Sequence, residues 1–189
     1  MTVIRGHRVL LRPVEGSDHP RILRWQNDPE VWWWMDYERT LTLEDIVESE
    51  TRATQEGHPF IIAEAGGRAI GRIGLNQFRE RDRICSLYVF IGEHDEWGHS
   101  FGRDAILAIL GWGFETFDLH MVELWGLSEN ERAIRTYRAC GFVVDGTLRE
   151  RSFKTDGAFH DRTVMSVSRE EYAAARERFD RGAASSASA

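Results

Sequence analysis

A chain of 189 residues, 42% of them hydrophobic, is long enough to bury the core of one domain. Its formal net charge of −7 argues against nucleic acid as a partner and slightly favours a cationic one. No apolar stretch approaches membrane-span length and the amino terminus lacks a signal-peptide pattern, so a cytoplasmic location without a membrane partner is expected.

Arg8 to Val14 reads as a strand, and a helix near Ser17 to Asn27 follows with Ser17 as its cap. Thr42 to Glu56 reads as a second helix, opened by Thr42-Leu43-Glu44-Asp45 in a capping-box pattern. Phe60 to Ala65 and Ala69 to Phe78 flank Gly66-Gly67 and read as a hairpin. Ile84 to Ile91 is short, β-branched and aromatic, as a buried strand should be. Arg103 to Phe117 carries Ala105, Ile106, Ile109, Leu110 and Phe117 at helical spacing, and Met121 to Leu127 reads as the next strand. A helix around Tyr137 comes next. Phe142 to Phe153 and Phe159 to Val167 then pair across Asp156-Gly157, and a charged helix runs from Arg169 to Phe179. Residues 182–189 are small and polar and read as a disordered tail, leaving one domain over residues 1–181. Cys85 and Cys140 lie far apart, and none of the seven histidines forms a ligand pair, so no metal is expected.

Trp97-Gly98-His99-Ser100-Phe101-Gly102 stands between the strand ending at Ile91 and the helix beginning near Arg103. Strand, glycine-bearing turn and helix together aim several free backbone N–H groups at one point. The positive end of the helix dipole lies behind them, a geometry that binds phosphate without a basic side chain. Further on, Leu124 to Asn130 leads into Ala133-Ile134-Arg135-Thr136-Tyr137-Arg138-Ala139-Cys140-Gly141-Phe142.

That second stretch resembles the signature Asn-x-x-Ala-Ile-x-x-Tyr-x-x-x-Gly-Phe of the GNAT superfamily of N-acetyltransferases, and every fixed position matches. The turn at Trp97 to Gly102 stands where that family keeps its pyrophosphate loop, with Gly102 kept, Trp97 in place of Gln or Arg and Ser100 in place of the first glycine. The resemblance covers roughly residues 7 to 170. Its layout is similar to the branch of ribosomal-protein N-terminal acetyltransferases and spermidine acetyltransferases. It implies an α/β fold in one domain, with a central, mostly antiparallel sheet splayed at the cofactor cleft and flanked by helices. It also implies acetyl-CoA as cofactor, held by Val89, Ile91, Trp97, Gly98, His99, Ser100, Phe101, Gly102, Arg103 and Asn130. Asn130 is equally suited to cap the following helix. Related proteins are often dimers, so a homodimer is a further expectation.

In such an enzyme a substrate amine attacks the thioester directly in a ternary complex. By resemblance Tyr137 is the proton donor, the alternative being a half-buried aromatic on an amphipathic helix. Backbone N–H groups of the strand ending at Ile91 suit the oxyanion. The amine needs a base, but Ser86 stands at the position where many family members carry a glutamate. Glu93, His94, Asp95 and Glu96 in the loop are substitutes, and Glu123 is another, inside a strand where burial raises a carboxyl pKa unless the side chain faces water.

In the family the segment between the first two helices overhangs the acceptor, and here it contains Trp33, Trp34, Asp36 and Glu38. Aromatic faces beside carboxylates suit an ammonium group, although the same tryptophans could simply pack the second helix onto the sheet. Asp161, beside His160, is a further candidate for substrate contact. The acceptor classes left open are a polyamine, an aminoglycoside-like antibiotic and a protein N-terminus. A non-catalytic acyl-CoA-binding sensor or scaffold remains the alternative to an enzyme.

Overall fold

Eight runs of β-forming sequence pair into a single sheet whose connections are mostly hairpins. The computed structural model describes residues 2–35 and 40–187. In chain order the elements are β1 (Ile4–Arg5), β2 (Val9–Pro13), α1 (His19–Gln26), α2 (Pro29–Trp32), α3 (Leu43–Glu56), β3 (His58–Glu64) and β4 (Ala69–Arg79). They continue with β5 (Ile84–Ile91), α4 (Phe101–Thr116), β6 (Met121–Leu127), α5 (Glu131–Ala139), β7 (Val143–Phe153), β8 (Phe159–Ser168) and α6 (Arg169–Ala187). The sheet order is β1-β2-β3-β4-β5-β6-β8-β7. Every neighbouring pair is antiparallel except β5 with β6, whose connection is the crossover helix α4 that a parallel pair requires. This is the mostly antiparallel α/β sheet that the sequence implies.

Strand alternation divides the core between the two faces. On β5, Cys85 and Leu87 pack with Ile106, Leu107, Ile109 and Phe114 of α4. Phe90 turns the other way and joins Ile22, Trp25, Val31 and Ile46 beneath α1, α2 and α3. No helix among the described residues is long and apolar enough to cross a membrane.

Local signals account for most boundaries. Thr42 Oγ1 accepts from the Asp45 N–H at 3.2 Å and Asp45 Oδ2 accepts from the Thr42 N–H at 2.7 Å, the expected capping box. The turns at Gly67 (φ +86°) and Gly157 (φ +80°) occupy left-handed backbone that favours glycine. Two expectations are corrected. Ser17 caps no helix, because Gly16–Asp18 forms a 3-10 turn organised by Asp18, whose carboxylate accepts from Arg12 (2.7 Å) and the Glu15 N–H (2.9 Å). The last helix continues past its expected end at Phe179 to Ala187.

One carboxylate fixes the start of α4 against the amino-terminal strands. Asp104, 1% exposed, accepts from the N–H groups of His7 (2.9 Å), Arg8 (2.7 Å) and Val9 (3.1 Å). It sits in the first helical turn, where the dipole favours negative charge. Asp104→Ala orphans three backbone donors, and we expect it to lower unfolding stability by about 3 kcal/mol, read by chemical denaturation. A loss below about 1 kcal/mol would mean that those donors find water instead.

Candidate active site

The parallel strands β5 and β6 are paired only at Ile84↔Met121, Cys85↔Val122 and Ser86↔Glu123. Beyond Ser86 they part, β5 continuing along β4 to Ile91 and β6 along β8 to Leu127. A cleft of about 680 Å³ opens between them, bordered by the first turn of α4 and by α5. That volume lies within the range of small-molecule and cofactor sites.

The β5 edge of the cleft presents backbone groups. The Gly92 N–H donates to the Ile70 carbonyl at 2.8 Å, which assigns the even positions along β5 to β4. By alternation, Leu87, Val89 and Ile91 direct their N–H and C=O groups across the gap. The Ile91 carbonyl is taken by the Trp97 indole N–H at 2.9 Å. The groups of Leu87 and Val89 face the open cleft.

At the mouth, the chain turns into α4 through Gly98 (φ +83°) and Ser100 (φ +65°). Ser100 makes no side-chain bond to the helix, and the first helical bond runs from the Asp104 N–H to the Ser100 carbonyl at 3.1 Å. The N–H groups of Phe101, Gly102 and Arg103 therefore have no helical acceptor. A Cβ at Gly98 would meet nothing within 4 Å, and one at Gly102 only Ile91 Cγ1 at 3.9 Å. The protein leaves space directly over these amides, as a bound phosphate requires. Arg103, Arg132 and Arg135 also line the cleft, and Arg103 Nε is buried without a partner. Trp97 is stacked between His94 (4.3 Å) and the Arg132 guanidinium (4.1 Å). His99 is the one predicted loop residue outside the cleft lining; its carbonyl accepts from Arg8 at 2.8 Å. These residues fit a nucleotide-bearing thioester such as acetyl-CoA.

Asn130 caps α5 by accepting from the Ala133 N–H at 3.1 Å, and it also lines the cleft. Two turns further along α5, Tyr137 lines the cleft too, its ring over Gly126 of β6 and 6.0 Å from that of Phe142. Burial pushes its phenol up to about 12, so the group keeps its proton at neutral pH. Glu123 lies at the closed end of the splay. Its carboxylate pairs with Arg79 at 2.7 Å and lies 3.3 Å from Ser86 Oγ, whose single proton it shares as acceptor with Gln77 Oε1 at 3.1 Å. Ser86 lines the cleft, whereas Glu123 does not.

The loop acids are held in ion pairs, and of them Glu96 also lines the cleft. Glu93 accepts from the Trp25 indole (2.9 Å) and pairs with Arg24, and Arg68 holds Asp95 and Glu96, each at 2.8 Å. His94 meets Asp28 at 3.1 Å.

The acceptor side is formed by Glu30, Trp34 and Met35 with Asn76, Gln77 and Tyr88. Trp33 and Trp34 are both half-buried, line a second, shallower depression beside Trp97 and Arg132, and Trp33 meets His160 edge-on at 5.6 Å. His160 bridges Glu129 (2.8 Å) and Asp156 (3.0 Å); the hydrogen bond to Glu129, reinforced by Asp156, raises its pKa. Asp161 is not brought to the cleft: it accepts from the Glu150 N–H at 2.8 Å, securing an irregular stretch of β7. Asp36 and Glu38 lie outside the described residues.

Sequence reasoning missed one feature of the acceptor side. Arg72, on β4, lines the cleft and pairs with the buried Glu50 of α3 at 2.6 Å. Burial lifts both the Glu50 carboxyl and the Tyr88 phenol above their ordinary values. The available signal was a lone arginine inside the apolar run Ala69-Ile70-Gly71-Arg72-Ile73-Gly74-Leu75.

A family model described as an acetyltransferase (GNAT) domain matches residues 8–143. The spermidine N(1)-acetyltransferase of Escherichia coli strain K12 is 26% identical over 172 residues, 89% of this chain and 90% of that protein. The uncharacterized N-acetyltransferase p20 of Bacillus licheniformis is 24% identical over 179 residues, 92% of this chain and 99% of its own length. The crystal structure of spermidine N-acetyltransferase from Vibrio cholerae in complex with CoA and spermine shares the fold, with a TM-score of 0.80 at 24% identity over 87% of this chain and 98% of that one.

Trp97→Phe keeps the stack between His94 and Arg132 but removes the donor to Ile91. We expect CoA affinity, measured by calorimetry, to fall about three- to tenfold while stability changes by no more than about 1.5 kcal/mol. Unchanged affinity would show that the loop holds its course without this bond.

Proposed function

This chain belongs to the GNAT acetyltransferase family as an acetyl-CoA-dependent N-acetyltransferase, and we propose that its acceptor is a small cationic primary amine entering past Glu30 and Trp34. Family membership decides between an enzyme and a non-catalytic acyl-CoA module in favour of the enzyme. The observation that carries the reading is the splayed cleft itself, lined both by the unpaired amides at the start of α4 and by an aromatic, acid-edged segment at Glu30 and Trp34. An indole face beside a carboxylate attracts an ammonium group by cation–π and charge interactions. Relatives named as spermidine acetyltransferases support a small amine over a protein terminus.

Acetyl-CoA supplies an acetyl group activated as a thioester. The amides of Phe101 to Arg103 and the Arg132 guanidinium would hold its phosphates, while Asn130 and the β5 edge at Val89 would hold its arm. The Leu87 and Val89 N–H groups are fixed dipoles suited to negative charge developing on the carbonyl oxygen, with no reorganisation needed during reaction. Tyr137 holds a proton at its phenol oxygen for the departing sulfur. The attacking amine must also lose a proton, and Ser86 offers the route: its hydroxyl receives that proton as it passes its own to Glu123. A base that does not touch the cleft thereby acts through one that does.

Thiol release from acetyl-CoA across spermidine, aminoglycosides and basic-terminus peptides tests the acceptor; saturable release confined to peptides would overturn it. With an amine that turns over, Tyr137→Phe should lower kcat about 100-fold and leave the CoA dissociation constant within about twofold. Equal losses in both would remove Tyr137 from the chemistry. Ser86→Ala and Glu123→Gln should each lower kcat/KM at neutral pH about tenfold or more, and the double variant should be no worse than the weaker single one. Additive losses would mean that the two residues act separately.

A further inference from the structure

The acceptor side of the cleft rests on a buried polar cluster to which the chemistry above gives no part. Arg72 is 6% exposed and Glu50 is 4% exposed, and Arg72 Nη2 donates to Glu50 Oε2 at 2.6 Å. Three buried polar atoms of this cluster have no partner: Arg72 Nε, Glu50 Oε1 and the Tyr88 hydroxyl. Pairing of Gly74 with Tyr88 and of Asn76 with Ser86 sets Arg72, Asn76, Ser86 and Tyr88 on one face of the sheet. All four line the cleft, whereas Glu50 lies behind them. A Cβ at Gly74 would collide with the Tyr88 hydroxyl, so this glycine gives the phenol room to lie across β4.

Holding α3 on the sheet does not account for this arrangement. Desolvating a charged pair costs several kcal/mol, and an apolar pair of equal volume is often as stable or more so. Each buried polar atom left unpaired adds about 1–3 kcal/mol. The orphans, by contrast, have a consistent chemistry: Arg72 Nε is a donor and the Tyr88 hydroxyl beside it can donate, so an acceptor oxygen that reaches them beneath the cleft floor would gain two hydrogen bonds. Glu50 cancels the Arg72 charge, so the floor remains compatible with an ammonium group close by.

We propose that Arg72 and Tyr88, with Arg72 held in place by Glu50, form a subsite for a neutral oxygen of the acceptor. The preferred acceptor is accordingly a small amine with a hydroxyl close to its reacting nitrogen, such as an amino alcohol or amino sugar, rather than an unsubstituted polyamine. The inference rests on the acceptor side assigned under the proposed function. A site built to hydrogen-bond a substrate oxygen discriminates strongly against the analogue lacking it, because its own polar groups are then left unpaired.

The test compares 1,3-diamino-2-propanol with 1,3-diaminopropane, which differ by one hydroxyl. We expect the wild type to favour the hydroxylated amine in kcat/KM by about tenfold or more. Arg72→Lys keeps a cation for Glu50 and removes Nε, and Tyr88→Phe removes the hydroxyl alone. Either variant should bring the ratio to within about threefold of unity, by lowering kcat/KM for the hydroxylated amine more than for 1,3-diaminopropane. A merely structural role would lower both amines together, and that result, or equal turnover of the pair by the wild type, overturns the subsite and leaves amine acetylation standing. No turnover with any amine would instead overturn the acceptor reading. Binding of the same pair to CoA-saturated protein, followed by NMR, then decides the subsite: a tenfold preference supports it and equal affinity overturns it.

Discussion

Two strands that start as hydrogen-bonded neighbours and then separate govern everything else in this structure. A buried parallel strand ordinarily has both edges in a ladder. Here β5 is satisfied along its length by β4, and β6 by β8, so each can release the other after Ser86 and Glu123. The separation leaves the inner backbone groups of β5 in open space, where water or a ligand must satisfy them. Trp97 marks the wide end: its indole claims the Ile91 carbonyl and its ring lies under Arg132. The first turn of α4, the cap of α5 and the floor formed by β4 thus surround one gap.

Charge along that gap is arranged against the overall balance of the chain. The net charge is −7, and four consecutive loop residues, Glu93 to Glu96, lie just before the helical amides that suit an anion. Arg24 and Arg68 pair with the three carboxylates there, which would otherwise repel a phosphate. Arg132, over the Trp97 ring, then supplies positive charge at the cleft. Glu30 also lines the cleft, 3.9 Å from His94, and the charge of Arg72 is cancelled by Glu50.

What was legible in the sequence is what short-range chemistry dictates. Thr42 with Asp45, Asn130 with Ala133 and the positive-φ glycines all act within a few residues of themselves, and each falls where the pattern places it. Ser17 misleads because the outcome there depends on Arg12 capturing Asp18 from a neighbouring strand. Strand register decides the less legible cases: Glu123 meets Arg79 and Ser86 only once β4, β5 and β6 are aligned, and Asp161 is drawn to Glu150 by an irregularity in β7. Arg72 and Glu50 are 22 residues apart on different elements. A lone arginine in an apolar run signals that a partner exists without indicating where it is.

The burial of Tyr137 bears on how it can serve the leaving group. An ordinary thiol has a pKa of about 8.5, and a phenol pushed up to about 12 is the weaker acid. Complete transfer from Tyr137 to the sulfur is therefore uphill by more than three units, equivalent to about 4–5 kcal/mol. The early benefit lies in the hydrogen bond: a fully protonated donor stabilises charge as it gathers on sulfur. The proton itself can cross later, once a second proton is available to restore the phenol, and the amine releases one in the same turnover. A more acidic group here would donate more readily but would be partly ionised at neutral pH, placing a negative charge where the sulfur must acquire its own. Packing against Gly126 and Phe142 holds the ring in place, and the raised pKa favours a constant donor over a strong one.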